Sequence, residues 1–186
     1  MFIKIPVIIA TLALIFVTSL QADESTISQI QNKYKTIRKE LPTLSKEEID
    51  LSGYSAEGGT ATAYHDGKGN TRLIRAELYG ESGKFFEEFY YLNGLLFFAF
   101  YENHRYNVPY YVTPEITGET EGNYFDPNKT KVLENRYYFN KGKMVRWLNE
   151  NKSEVNINTK EFKEAETDVT NFSNELLVKF KRNAKH

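Results

Sequence analysis

The feature that most constrains this chain is the segment Phe85–Tyr111, FFEEFYYLNGLLFFAFYENHRYNVPYY, in which two aromatic-rich apolar runs flank an Asn93-Gly94 pair. Twelve of the 27 aromatic residues fall inside it. Aromatic and β-branched residues favour strands, and Asn-Gly supplies the two positive-φ positions of a tight hairpin turn, so the segment predicts a buried β-hairpin. In its second strand Leu96, Phe98 and Phe100 alternate with Leu95, Phe97, Ala99 and Tyr101. Neither face of this hairpin reads as wet, so both are covered within the chain or one is an interface.

Other stretches give the same kind of signal. Gly59–His65 and Thr71–Tyr79 are strand candidates around the turn-rich Asp66–Asn70, with Ile74, Ala76 and Leu78 on one face and Arg75 and Glu77 on the other. Glu87 and Glu88 are neighbours on a strand, so their side chains face opposite ways, and Glu87 is expected to pair with a base such as Arg75. A last hairpin runs from Val132 to Phe139, through Asn140-Lys141-Gly142, to Leu148. The strands are bracketed by helices. Ile27, Ile30, Tyr34, Ile37 and Leu41 recur at helical steps behind a Thr26/Gln29 capping box and before Pro42, and Phe162, Ala165, Val169, Phe172, Leu176 and Phe180 do so after Thr159. Ser45–Leu51 reads equally as a helical turn or a strand. The expected fold is therefore α+β, an antiparallel meander of about six strands with an N-terminal and a C-terminal helix covering one face.

The segment Phe89–Leu96 resembles Arg136–Met144, with one extra turn residue in the second copy. Together with Ser82-Gly83-Lys84 it resembles the hairpin units of bacterial MORN-variant repeats, which combine a glycine turn, acidic residues, a Tyr-Tyr pair and Asn-Gly. Glu57-Gly58-Gly59, Tyr64-His65-Asp66-Gly67 and Tyr79–Lys84, in this order, also resemble a family of secreted bacterial proteins of unassigned activity. The first resemblance implies hairpin architecture; neither implies a reaction.

Residues 1–22 carry one early cation, Lys4, an apolar run from Ile5 to Phe16 and the small-residue exit Ser19-Leu20-Gln21-Ala22. This is the layout of a cleavable signal peptide, with cleavage after Ala22, and it predicts a secreted or periplasmic protein with no stable membrane insertion after cleavage. The remaining residues 23–186 suit one domain. They carry 23 Lys+Arg and 25 Asp+Glu, a formal charge of −2, which argues against nucleic acid as partner. With no cysteine in an exported chain, stability comes from core burial rather than disulfides.

Chemistry-bearing motifs are sparse. His65, His104 and His186 have no metal-ligand spacing, and Asp66-x-Lys68-x-Asn70 and Asp126-x-Asn128-x-Thr130 lack residues that a calcium loop needs, so neither metal nor cofactor is expected. No Gly-x-Ser-x-Gly elbow occurs. No catalytic residue is assigned. The long segment Glu102–Thr130 reads as a functional loop or as a carrier of a short strand at Pro109–Val112. Its Tyr106, Tyr110 and Tyr111, with His104 and Arg105, are the candidate ligand-binding residues, because Tyr and Arg dominate recognition surfaces and loops carry function. The favoured reading is a non-enzymatic binding protein for a protein, peptide or glycan. The alternatives are a hydrolase in which Glu57, Glu81 or His104 line a pocket, and an envelope protein that self-associates as a homodimer through an apolar sheet face.

Overall fold

Two-residue turns join β3 to β4, β4 to β5 and β6 to β7, longer connections join the others, and every strand lies beside its sequence neighbour in a single seven-stranded antiparallel sheet in the order β1-β2-β3-β4-β5-β6-β7. The strands are β1 Ser45–Asp50, β2 Gly59–His65, β3 Thr71–Gly80, β4 Gly83–Leu92, β5 Leu95–Arg105, β6 Lys131–Asn140 and β7 Lys143–Leu148. Helix α1, Glu24–Glu40, precedes the sheet; α2, Pro114–Thr117, lies between β5 and β6; α3, Lys160–Asn183, follows. The computed structural model describes residues 24–118 and 123–183, so the expected leader at 1–22 and His186 lie outside the described residues. No helix among the described residues is long and apolar enough to cross a membrane.

The α+β meander with terminal helices is present, with corrections. There are seven strands, because Ser45–Asp50 is a strand and not a helical turn. Helix α1 is already formed at Glu24, the first described residue, which places the expected Thr26 cap inside the helix, and it ends at Glu40 ahead of a 3-10 turn holding Pro42. The helices cover opposite faces rather than one. Strand β5 runs on to Arg105, so His104 and Arg105 belong to the sheet, and Pro109–Val112 forms turns rather than a strand.

Helix α3, capped by the Thr159 hydroxyl on the Phe162 amide, presses Phe162, Val169, Leu176 and Phe180 onto Ile74, Phe89, Tyr91, Phe139 and Trp147. Four alanines, Ala61, Ala63, Ala76 and Ala99, keep this face low enough for the helix to seat. The face meeting α1 holds a second cluster, in which Ile27, Ile30 and Ile37 pack on Tyr64, Leu73, Tyr90, Phe98 and Tyr138. A helix of 24 residues is about 36 Å long and seven strands span about 29 Å, so α3 crosses the whole sheet.

Three β-bulges break the alternation. Arg72, Phe97 and Val145 are each an extra residue in their strand, so Arg72 and Leu73, Phe97 and Phe98, and Val145 and Arg146 point in pairs toward α1. This corrects the expected alternation of β5: Leu96 joins Ala99 and Tyr101 under α3, while Phe97 joins Phe98 and Phe100 under α1. The bulge residues also fasten the helix. Arg146 pairs with Glu24 at its start, and Arg72 pairs with Glu40 at its end at 3.1 Å. Strand β1, an edge, is protected by its charged sequence SKEEID, and β7 is bordered by the Val155 amide donating to the Trp147 carbonyl.

Candidate functional site

A helix is about 10 Å wide, whereas a strand of 11 residues such as β5 is about 36 Å long. Because α1 lies across the strands, it covers one band of its face and leaves the rest open. Residues directly opposite each other share a face, so the open half can be read as rows across β3 to β6: Arg75, Glu88, Phe100 and Arg136; then Glu77, Phe86, Glu102 and Glu134; then Tyr79, Lys84, His104 and Val132. Two cavities lie where these rows meet the helix, one on each side of Tyr34. The first, about 320 Å³, is bounded by Arg38, Arg75, Glu77, Phe86, Glu88 and Glu102. The second, about 450 Å³, has Phe98, Phe100 and Tyr138 along its floor and Gln31, Lys35 and Arg136 at its sides.

Tyr34 is held by edge contacts with Tyr90 and Phe98, at 5.0 and 5.3 Å between ring centroids. Beneath the first cavity, Glu88 accepts from Arg75 Nε at 3.0 Å and Nη2 at 2.6 Å, from Arg38 Nη1 at 3.3 Å, and from the Tyr90 hydroxyl. Burial first, then the Glu88 charge, pushes the Tyr90 hydroxyl up, so it stays a neutral donor. These are charge-assisted bonds, and they make the Glu88 knot a rigid base for the cavity. Lower on the face, Lys84 sits over the Phe86 ring, Arg136 over the Phe100 ring, and His104 packs edge-on to Phe86 while its Nε2 lies 3.2 Å from Glu102. Glu102 and Glu134 stand directly opposite on neighbouring strands. Like charges so placed repel, and each has its own partner, His104 for Glu102 and Arg136 for Glu134.

The sequence-derived residues divide between two places. His104 is on the open face and Arg105 ends β5 opposite Gly83 and Lys131. Tyr106 packs on Phe125 at 4.9 Å, and its amide donates to the Ser82 carbonyl. Tyr110 and Tyr111 form an exposed edge-on pair whose hydroxyls reach Glu57 and Glu81 at 3.4 and 3.5 Å. The nearby Glu57 charge pushes the Tyr110 hydroxyl up. The loop thus folds back on the β3–β4 turn and gathers the tyrosines with Glu57 and Glu81, while His104 has Glu102 and Phe86 as partners instead.

Sequence reasoning missed Tyr34, Arg38, Lys35 and Arg136 as site residues, although it expected the helix and the strand that carry them, because their facing partners come from elsewhere in the chain. It also mispaired Glu87: register places Arg75 opposite Glu88, and Glu87 faces α3's side of the sheet. Asp66 is a turn residue, its carboxylate held down to about 2 by hydrogen bonds from the Asn70 side chain and amide. Asp126 caps the Asn128 amide. Among the described residues, no group of three or more His, Asp or Glu is arranged to hold a metal ion. No family model, no curated protein and no solved structure matches the chain.

Proposed function

We propose that this is an exported, non-enzymatic binding protein whose ligand lies in the groove that α1 leaves open, on the two sides of Tyr34. The observation that carries the reading is the pair of cavities that meet at Tyr34, the first with charged walls over a buried and fully bonded Glu88, the second with an aromatic floor beside Arg136 and Lys35. Ligand sites combine such an apolar lining with a few oriented polar groups, and their usual volumes begin near 300 Å³. Export rests on the leader pattern of residues 1–22. The chain's near-neutral charge supports a protein, peptide, glycan or smaller organic ligand rather than nucleic acid.

The test is a fragment library screened by ligand-observed NMR against the protein and against Gln31→Trp, which fills the groove from an exposed helical position. Fragments that bind the parent and lose binding to Gln31→Trp support the groove. Hits indifferent to that substitution that also leave the Tyr34 and Phe86 ring signals unmoved, or an absence of hits at millimolar concentration, overturn it.

A second reading is favoured by the exposed Tyr110 and Tyr111, 46% and 48% accessible, which stand over two carboxylates. Here the loop is the recognition surface. It predicts that Tyr110→Ser with Tyr111→Ser abolishes fragment binding while Gln31→Trp does not.

A further inference from the structure

Arg136 is only partly used by the fold. Its Nη2 donates to Glu134 at 2.5 Å and its plane covers the Phe100 ring at 5.1 Å, but Nη1 is buried and meets no acceptor among the described residues. A charged donor left unsatisfied costs more than a neutral one, and in a native protein it calls for an explanation. Arg136 is also one of the residues that line the second cavity, with Lys35 at its side and Phe98, Phe100 and Tyr138 along its floor, and the unsatisfied Nη1 lies sealed just behind that lining.

Resting on the groove as the binding site, we propose that this cavity takes a monoanionic organic acid, with its carboxylate between Arg136 and Lys35 and a flat apolar body over Phe98, Phe100 and Tyr138. The chemistry selects each part. A guanidinium edge matches a planar carboxylate, and the Tyr138 and Phe98 surfaces offer nothing to a sugar's hydroxyls beyond one phenol. The charge selects the valence: Arg136 and Lys35 against Glu134 leave one positive charge, which a monoanion neutralises and a phosphate dianion exceeds. The volume, about 450 Å³, suits a ring with a short chain. One adjustment is required, a small turn of the guanidinium that brings Nη1 to the cavity while Nη2 keeps Glu134. The other cavity is acidic by contrast, since both of its arginines are committed to Glu88 and leave Glu77 and Glu102. That polarity orients the acid with its carboxylate away from them.

The experiment is an NMR titration of the full chain with 3-phenylpropionate, 3-phenylpropanamide and 3-phenylpropylamine, which share a body and differ in charge. The carboxylate is expected to bind about tenfold more tightly than the amide, the scale of a charge-assisted hydrogen bond. Lys35→Gln and Arg136→Gln should each remove most of that advantage and leave the amide unchanged. Lys35 is an exposed helical position, so its variant remains informative even where Arg136→Gln disturbs the sheet. Equal binding of all three probes, or preference for the amine, overturns the organic-acid assignment while Gln31→Trp sensitivity upholds the groove. Failure of every probe and of the fragment library overturns both.

Discussion

At the scale of single residues, Glu87 and Glu88 show how far adjacent carboxylates diverge. Glu88 receives two arginines and a tyrosine hydroxyl. Glu87, one residue earlier on the opposite face, is half-buried as a residue, yet its Oε2 is sealed from solvent and meets no donor among the described residues. The groups facing it are tyrosines: Tyr101 on β5, which offers a hydrogen bond, and Tyr137 on β6. Burial pushes its carboxyl up to about 7 from an ordinary 4.5. A carboxyl raised in the folded state leaves stability whole below the unfolded value and lowers it as pH rises through 4.5 toward about 7. At about 1.4 kcal/mol per unit, the loss is about 3 kcal/mol above that window. Glu87→Gln should therefore raise the urea midpoint at pH 8 and leave it nearly unchanged at pH 4; an equal gain at both would refute the assignment. Glu88→Gln removes the buried charge shared by Arg75 and the more exposed Arg38 and should destabilise by about 1.5–3 kcal/mol at pH 7, the scale of a hydrogen bond to a charged group, read from the same unfolding curves. Alternation made the opposite facing of these two acids legible in the sequence. Which of them meets Arg75 was not, because that depends on the pairing register of β3 and β4.

At the scale of elements, the two similar segments prove closer in geometry than in spelling. Both turns are two-residue loops with positive φ at each position, Asn93 and Gly94 in one, Lys141 and Gly142 in the other. Lys141, rather than an added residue, stands where Asn93 stands, and in each hairpin a bulge follows three residues after the glycine, at Phe97 and Val145. Lysine in the left-handed region costs about 1 kcal/mol that asparagine largely avoids. Lys141→Asn should therefore stabilise the protein by about 0.5–1 kcal/mol in equilibrium unfolding, and no gain would mean that the turn carries no such strain. The bulges have a further effect on α1. They turn paired residues toward it, and two of them, Arg72 and Arg146, bind its terminal acids. The glycine turns were plain in the sequence, whereas a bulge leaves no local mark, since Phe97 and Val145 are ordinary strand residues.

At the scale of the whole molecule, a sheet carries two separate apolar clusters, one under each long helix. Substitutions in different clusters share no partner, so Ile37→Val, costing about 1 kcal/mol, and Leu176→Ala, costing about 2–5 kcal/mol, should add to within about 0.5 kcal/mol in a double-mutant cycle. A larger coupling would show that the sheet transmits packing strain from face to face. The two-sided arrangement also explains the groove: α1 has 17 residues and lies across strands of up to 11, so its width, not its length, limits what it covers. By itself the sequence determined the two long helices and six of the seven strands, because burial period and turn chemistry are local properties of neighbouring residues, while the type of Ser45–Asp50 and the turns at Pro109–Val112 were left to the fold. Only the tertiary structure decided that the helices take opposite faces, that bulges redirect β3, β5 and β7, and that Tyr34, Lys35 and Arg136 come together over Phe100. Those outcomes depend on register and on the size of a helix relative to a strand, which join residues about a hundred positions apart and which no local pattern encodes.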